Sequence, residues 1–166
     1  MHKTKINLDE IKIVGIKVRT NNKTELKTAD GASGKIFPCV QKYFYEQISQ
    51  KIPNRKKPGT TFCVYTEYES DHTGDYTYYI GEEVNSFDNV PDDLETLLIL
   101  PQSYVKFTTD PGPMPAVLRN AWETVWSMSD KDFGAPRRYY ADFEVYDERA
   151  QDPSNLVLDL YIGIKN

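Results

Sequence analysis

The sequence has few of the residues that bind metal ions or form disulfide frameworks. It contains two cysteines, Cys39 and Cys63, and two histidines, His2 and His72, which lie far apart along the chain. Zinc sites and disulfide-stabilised folds need several such residues at short, regular spacing. We therefore expect two buried free thiols and no metal site.

Long apolar runs and an excess of positive charge are also missing. No segment is apolar over the length of a signal peptide or a membrane span, so we expect a cytoplasmic protein with no membrane contact. The 166 residues carry a formal net charge of -5. The one basic cluster, residues 51–57, follows a predicted helix and complements its negative end. Because binding to phosphates needs a larger basic patch, we expect no direct contact with nucleic acid.

Sequence motifs of common enzymes are absent as well. There is no glycine-rich phosphate loop and no nucleophile elbow, and neither histidine has a patterned setting. The sequence therefore predicts no cofactor and no catalytic residue, and it favours binding over catalysis.

Tyrosine is abundant instead, with twelve residues concentrated in strand-like segments. The most unusual segment is residues 139–146. At the two-residue period of a strand, its odd-numbered positions form an ordinary apolar face. The other face alternates aromatic rings with acids: Tyr140, Asp142, Glu144 and Tyr146. Such a mixture is neither a good core nor a plain solvated surface.

The chain reads twice as strand, helix, strand, strand. The first unit, residues 11–84, has a strand at 11–20, a glycine-rich loop, a helix at 34–52 and a hairpin of 60–68 with 75–84. The second unit, residues 97–165, has a strand interrupted near Pro101, a helix at 111–130 opened by prolines, and a hairpin of 137–147 with 156–165. Both hairpins end on Tyr-Ile-Gly, at Tyr79 and at Tyr161. These patterns predict one α+β domain over residues 1–166, with two pseudo-symmetric repeats, an antiparallel sheet and a ligand cleft between the halves.

Two segments resemble a known family. The helix GPMPAVLRNAWETVWSMSD after SYVKFTTDPGP, and the C-terminal DFEVYDERAQDPSNLVLDLYIGIK, are similar to the GyrI-like effector-binding domain, which is also found in AraC-type and MerR-type regulators. The resemblance covers nearly the whole chain and is closest to single-domain members carried on integron cassettes. It implies a cleft that binds lipophilic, often cationic compounds between aromatic walls and a buried glutamate, which carries over onto Glu144. The chain departs from the family pattern at Gly163 and after Trp126.

The chemistry of Glu144 agrees with that resemblance. A carboxylate among aromatic rings suits an organic cation, because ring faces and an ionised acid both attract positive charge. Burial should raise the pKa of Glu144 in the empty protein, and a bound cation should lower it again. The alternative is that Glu144 lies on an open sheet face and pairs with Arg137, Arg138 or Arg149.

Seven further residues are candidates for contact with the ligand. Tyr140 and Tyr146 share the predicted face of Glu144, and Tyr65 lies on the matching strand of the first half. Tyr79 and Tyr161 occupy equivalent positions beside glycines, although they could instead pack on the sheet with hydroxyls at the surface. Of the two tryptophans on the second helix, Trp126 is predicted to reach the ligand and Trp122 to lie in the core. Phe133 is placed at the mouth of the pocket. Apart from these seven residues, Glu67 is a candidate second acid in the cleft.

Three functions fit the sequence. The leading one is a stand-alone binding module for lipophilic or cationic small molecules. The second is hydrolysis of reactive electrophilic compounds in the same cleft, with Glu144 activating water. The third is a protein-interaction module like the gyrase-inhibiting members of the family, with a protein partner and no ligand.

Overall fold

One antiparallel sheet organises the chain, of which the computed structural model describes residues 1–28 and 33–166. Within these residues the strands are β1 (His2–Leu8), β2 (Ile11–Asn21), β3 (Thr61–Thr66), β4 (Asp75–Glu83), β5 (Glu95–Ile99), β6 (Gln102–Thr108), β7 (Ala141–Tyr146) and β8 (Asp159–Ile164). The helices are α1 (Asn22–Glu25), α2 (Ile36–Tyr45), α3 (Ala116–Ser127) and α4 (Asp130–Phe133), with 3-10 turns at Ile48–Lys51 and Glu148–Ala150. No helix in the described part of the chain is long and apolar enough to cross a bilayer. Residues 29–32, part of the predicted glycine-rich loop, lie outside the described residues.

The order of strands in the sheet is symmetrical. It runs β1-β6-β8-β7-β3-β4-β2-β5, so that β6, β8 and β7 mirror β2, β4 and β3 across the β3–β7 pair. Each half therefore consists of a strand, a helix and a hairpin, as β2-α2-β3-β4 and β6-α3-β7-β8. The predicted fold class, an α+β fold with two pseudo-symmetric units, is confirmed, while the repeat boundaries at 11–84 and 97–165 remain a prediction.

Tyr79 and Tyr161 occupy matching places in the two halves. Tyr79 lies opposite Lys17 in the β2–β4 pair, and Tyr161 lies opposite Lys106 in the β6–β8 pair. In both pairs the lysine Nζ lies over the tyrosine ring, at 5.8 Å and 5.7 Å from the ring centroid. The shared Tyr-Ile-Gly sequence thus corresponds to a shared position in the sheet.

The two outermost strands differ from the prediction. The sequence pattern gave no sign of β1, because most of its side chains are polar and exposed. The predicted interruption near Pro101 is present, at Leu100 and Pro101, but the part before it, β5, pairs with β2 of the other half. Two residues link β1 to β2, although these strands stand far apart in the sheet order. The sheet must therefore curve to bring its ends together.

The curved sheet has a different core on each face. On one face, α2 packs on the first half through Tyr43 and Cys39, and α3 packs on the second half through Trp122 and Val125. On the opposite face of the sheet lies a separate apolar cluster, to which Tyr79 belongs. The predicted first helix is shorter than expected, since it ends at Tyr45 and Gln47 takes a left-handed conformation with φ of 50°. Both cysteines are buried and free.

Candidate ligand-binding site

A cavity of about 750 Å³ lies between α2 and α3, above the sheet where the two halves meet. This volume is typical of sites for drug-sized ligands. Its floor is formed by side chains of β3, β4 and β7: Cys63, Tyr65, Tyr76, Tyr78, Glu144 and Tyr146. Its walls include Ile36, Phe37, Val40 and Phe44 of α2, and Leu118, Trp122 and Trp126 of α3. The cavity is therefore mainly aromatic and apolar, with one acid in its floor.

Glu144 is held in the floor by three neutral donors. The Trp122 indole Nε1 donates to Oε2 at 2.8 Å, and the Tyr65 hydroxyl donates to the same oxygen at 3.3 Å. The Tyr146 hydroxyl donates to Oε1 at 2.7 Å. The glutamate is only 1% exposed. These contacts fix the carboxylate in position without neutralising its charge.

No ion pair among the described residues involves Glu144, which is contrary to the alternative prediction. Arg137 instead pairs with Asp142, and Arg149 pairs with Asp147. The third candidate, Arg138, lies with its guanidinium 5.1 Å from the centroid of the Tyr140 ring. The alternation of β7 places Glu144 under α3 rather than on an open face.

The environment raises the pKa of Glu144 from 4.5 to about 7. Removal of the carboxylate from water is the main cause, and the hydrogen bonds from Trp122, Tyr146 and Tyr65 oppose it. Burial also raises the pKa values of the Tyr65 and Tyr146 hydroxyls well above their usual value. Both tyrosines therefore keep their protons and act as donors at neutral pH.

Aromatic rings surround the carboxylate. The rings of Tyr65 and Trp122 meet edge to face with centroids 4.9 Å apart, and Tyr65 also contacts Tyr76 at 5.5 Å. Trp126 lies beside Trp122 at 6.2 Å and continues this wall along α3. The faces of aromatic rings carry partial negative charge and attract cations.

Four of the predicted site residues come together in this cavity: Glu144, Tyr65, Tyr146 and Trp126. The sequence predicts Trp122 in the core alone, but the residue is both buried and a donor to Glu144. Its spacing of four residues from Trp126 and from Leu118 indicates one helix face, which is the signal that could have identified it.

The other four predicted residues do not line the cavity. Tyr79 and Tyr161 belong to the apolar cluster on the opposite face of the sheet, in agreement with the alternative of sheet packing. Tyr140 packs against the same cluster and accepts the Leu100 N–H on its hydroxyl, since the left-handed Tyr139 interrupts the strand alternation. Phe133 is buried in α4 against the cluster beneath α3.

The two remaining acids have other roles. Asp142 is fully buried and accepts hydrogen bonds from Arg137 Nη2 at 2.8 Å and from Tyr68 at 2.6 Å. Glu67 accepts a hydrogen bond from the Tyr79 hydroxyl and does not line the cavity.

A carboxylate that the sequence pattern did not suggest lies in the cavity wall. Glu25 accepts hydrogen bonds from the backbone N–H groups of Lys35 and Ile36, at 2.7 Å and 3.0 Å, at the N-terminal end of α2. The hydroxyl of Thr20 donates to it at 2.6 Å. These donors and the positive helix end stabilise the negative charge of Glu25. That charge is therefore less unfavourable in the empty cavity than the charge of Glu144.

The family model described as "Integron-associated effector binding protein" (Cass2) matches residues 6–164. YobU of Bacillus subtilis (strain 168) is 24% identical over 160 residues, which are 96% of this chain and 95% of YobU. The integron cassette protein VCH_CASS2 from the mobile metagenome of Vibrio cholerae matches with a TM-score of 0.72 and 23% identity, over 98% of this chain and 95% of its own. SAV2435, solved in complex with tetraphenylphosphonium, matches with a TM-score of 0.74 and 16% identity, over 100% of this chain and 95% of its own. The two solved structures thus share the fold across almost the whole chain.

Proposed function

This chain belongs to the family of integron-associated effector binding proteins, and from that premise we propose that it binds lipophilic cations in the cavity between α2 and α3. In the proposed complex, aromatic side chains contact the apolar surface of the ligand and Glu144 meets its positive charge. The proposed site consists of Glu144, Tyr65, Tyr146, Trp122 and Trp126.

The observation that carries this proposal is a buried carboxylate that has no positive partner among the residues that the structure describes. Glu144 is 1% exposed, and its three hydrogen-bond donors, Trp122, Tyr65 and Tyr146, are all neutral. A charge in such a place is unfavourable in the empty protein, as its raised pKa reflects. A bound organic cation would relieve this cost, because it supplies the opposite charge in a site that contains little water.

The aromatic wall supports the same ligand class. A tryptophan ring is the strongest aromatic partner for a cation, and contact with such a ring contributes about 0.5–2 kcal/mol. The hydrophobic area of the rings would contribute further through burial of the ligand's own apolar surface. The complex of SAV2435 with tetraphenylphosphonium is an example of such a ligand in the same fold.

A pair of ligands with one shape and opposite charges tests the proposal. Tetraphenylphosphonium and tetraphenylborate are matched in size and apolar surface, so that the sign of the charge is their main difference. Both tryptophans of the chain line the cavity, and their fluorescence reports on binding directly. We expect the phosphonium to bind and to stabilise the protein against heat by an amount that rises with the logarithm of its concentration above Kd, and the borate to bind at least tenfold more weakly. Equal affinity for the two ions would show that binding depends on apolar contacts alone, and it would refute the role of Glu144.

A further inference from the structure

The α2 side of the cavity carries apolar side chains that remain exposed to solvent. Leu26, Phe37 and Phe44 all line the cavity, and they are 40%, 47% and 59% exposed. On the α3 side, Leu118 and Trp126 are half-buried. Single exposed apolar residues are normal on a protein surface, but several that converge on one cavity indicate a surface that is covered in a complex. We name Leu26, Phe37 and Phe44 the outer rim.

The helical spacing of α2 places both phenylalanines of the outer rim on one face. Phe37 and Phe44 are seven residues apart, which is about two helical turns and about 10 Å along the helix axis. Val40, which lies between them, also lines the cavity. The Phe44 ring packs edge to face on the buried ring of Tyr43, with centroids 5.2 Å apart. The two phenylalanines thus form an apolar strip along the cavity.

The outer rim is poorly suited to the positive charge of a ligand. α2 has one charged residue, Lys42, which is itself a cation. Glu25 lies near the start of α2, but the Thr20 hydroxyl and two backbone N–H groups already donate to its carboxylate. In the floor, by contrast, the donors to Glu144 are neutral side chains. A cation with its charge at Glu144 leaves the outer rim to its apolar part.

We propose that the outer rim is a second subsite, which selects cations by the length of an apolar arm while the charged group lies at Glu144 in the floor. This inference rests on the proposed function, and it narrows the ligand class to amphiphilic cations with one compact charged end. An arm that runs between the phenylalanine rings and α3 removes exposed apolar surface from water, which is favourable in proportion to the area covered. The charge and the arm therefore contribute to affinity through separate residues.

Butyl-, octyl- and dodecyltrimethylammonium test the subsite, because they share one charged group and differ in the arm. Tryptophan fluorescence measures their binding below the concentrations at which they form micelles. We expect affinity to rise about twofold per methylene group, which is less than the roughly fourfold of full burial because the outer rim is open on one side. In Phe37→Gln and in Phe44→Gln, the ratio of dodecyl to butyl affinity should fall about fivefold.

Tyr45→Gln is the matched control. Tyr45 follows Phe44 directly and is 90% exposed, but it does not line the cavity. Its substitution removes an exposed ring from the same helix and should keep the wild-type ratio of dodecyl to butyl affinity. A fall in Tyr45→Gln equal to that in the phenylalanine variants would overturn the subsite.

Glu144→Gln separates the subsite from the proposed function. It should weaken all three ions by a similar factor and leave the ratio of dodecyl to butyl affinity unchanged. A wild-type ratio in both phenylalanine variants, together with weaker binding in Glu144→Gln, would overturn the subsite and leave the cation site intact. Unchanged affinities in Glu144→Gln, or no binding of any of the ions to the wild type, would overturn the proposed function together with the subsite.

A nitroxide label at the free end of the octyl arm reports the orientation of the ligand in the wild-type protein. In nuclear magnetic resonance spectra it should broaden the ring signals of Phe37 and Phe44 more than the indole N–H signal of Trp122, which donates to Glu144. The reverse order would place the arm in the floor and overturn the subsite. A dimer that dissociates in Phe44→Gln, with unchanged dodecyl affinity, would assign the outer rim to a second copy of the chain instead.

Discussion

Glu144 and Asp142 lie two residues apart on the same face of β7, both are buried, and within the described part of the chain only Asp142 has a cationic partner. Asp142 forms a buried ion pair with Arg137, and its charge is thereby balanced within the protein. In the proposed function, the charge of Glu144 is balanced by the ligand. Of these two acids on one strand face, Asp142 is part of a structural ion pair, and Glu144 is the acid to which the proposed function assigns the ligand.

Replacement of Glu144 by glutamine should weaken cation binding while preserving the fold. The loss of a charge-assisted contact is expected to cost about 1.5–3 kcal/mol, which corresponds to roughly ten- to 150-fold in affinity. Titration of tetraphenylphosphonium, followed by tryptophan fluorescence, measures this directly. A neutral aromatic ligand is the control, and its affinity should change little. Unchanged phosphonium affinity in Glu144→Gln would show that the ligand binds without contact to the Glu144 carboxylate.

Asp142→Asn should have the opposite effect to Glu144→Gln: it should lower the stability of the fold and leave the selectivity for cations unchanged. Removal of one partner from a buried ion pair leaves the other charge uncompensated and typically costs 3–5 kcal/mol of stability. We expect a clear fall in the urea midpoint of unfolding, with the preference for phosphonium over borate retained in the folded protein. A variant with wild-type stability and no preference between the ions would reverse the roles assigned to the two acids.

Cation binding should depend on pH through Glu144. The pKa of its carboxyl group is about 7 in the empty protein, and a bound cation favours the ionised form, so that binding below pH 7 must displace a proton. Affinity for tetraphenylphosphonium should therefore fall about tenfold between pH 8 and pH 6. In Glu144→Gln the same titration should be flat. A wild-type affinity that is constant over this range would exclude Glu144 as the ionised partner.

The same shift predicts a pH-dependent stability of the empty protein. Because the folded-state pKa of Glu144 lies above its ordinary value of 4.5, at about 7, the folded state holds its proton more tightly than the unfolded state. The resulting stabilisation is complete below about pH 4.5 and is lost as the pH rises through about 7. Its size is about 3 kcal/mol for a group this buried. Chemical denaturation at pH 5 and pH 8 should show that the wild type loses more stability than Glu144→Gln over this interval.

The sequence predicts those features of the structure that depend on local alternation along a strand. It does not predict features that depend on pairing between distant segments. The alternation of residues 141–146 placed Glu144 and Tyr146 on one face correctly, because a strand fixes that relation locally. Tyr140 lies just before the strand, and the left-handed backbone of Tyr139 removes it from the pattern. Positive φ at a tyrosine is imposed by tertiary contacts, which no local rule reveals.

Long-range pairing accounts for the remaining differences. Tyr79 and Tyr161 share a position in the two halves, as the repeated tripeptide indicated, but the face of the sheet on which they lie follows from strand register. The partner of Asp142 could not be read from the sequence either, since Arg137, Arg138 and Arg149 are all near in the chain. Only the folded arrangement assigns Arg137 to Asp142, and in residues 1–28 and 33–166 it pairs Glu144 with no cation.

Tyr161 offers the sharpest test of which face of the sheet binds the ligand. Its ring stacks on Phe143 with centroids 4.6 Å apart and meets Tyr104 edge to face at 6.0 Å, on the face away from the cavity. Tyr161→Ala should therefore destabilise the protein by about 2–4 kcal/mol, as the removal of a large packed side chain does. Phosphonium affinity, measured where the variant is fully folded, should stay within about twofold of the wild type, because the substitution does not alter the surroundings of Glu144. Tyr79→Ala, at the matching position of the first half, should behave in the same way. A large loss of affinity with little loss of stability in either variant would place the ligand on the opposite face, where the tyrosines and their lysines would then form the site.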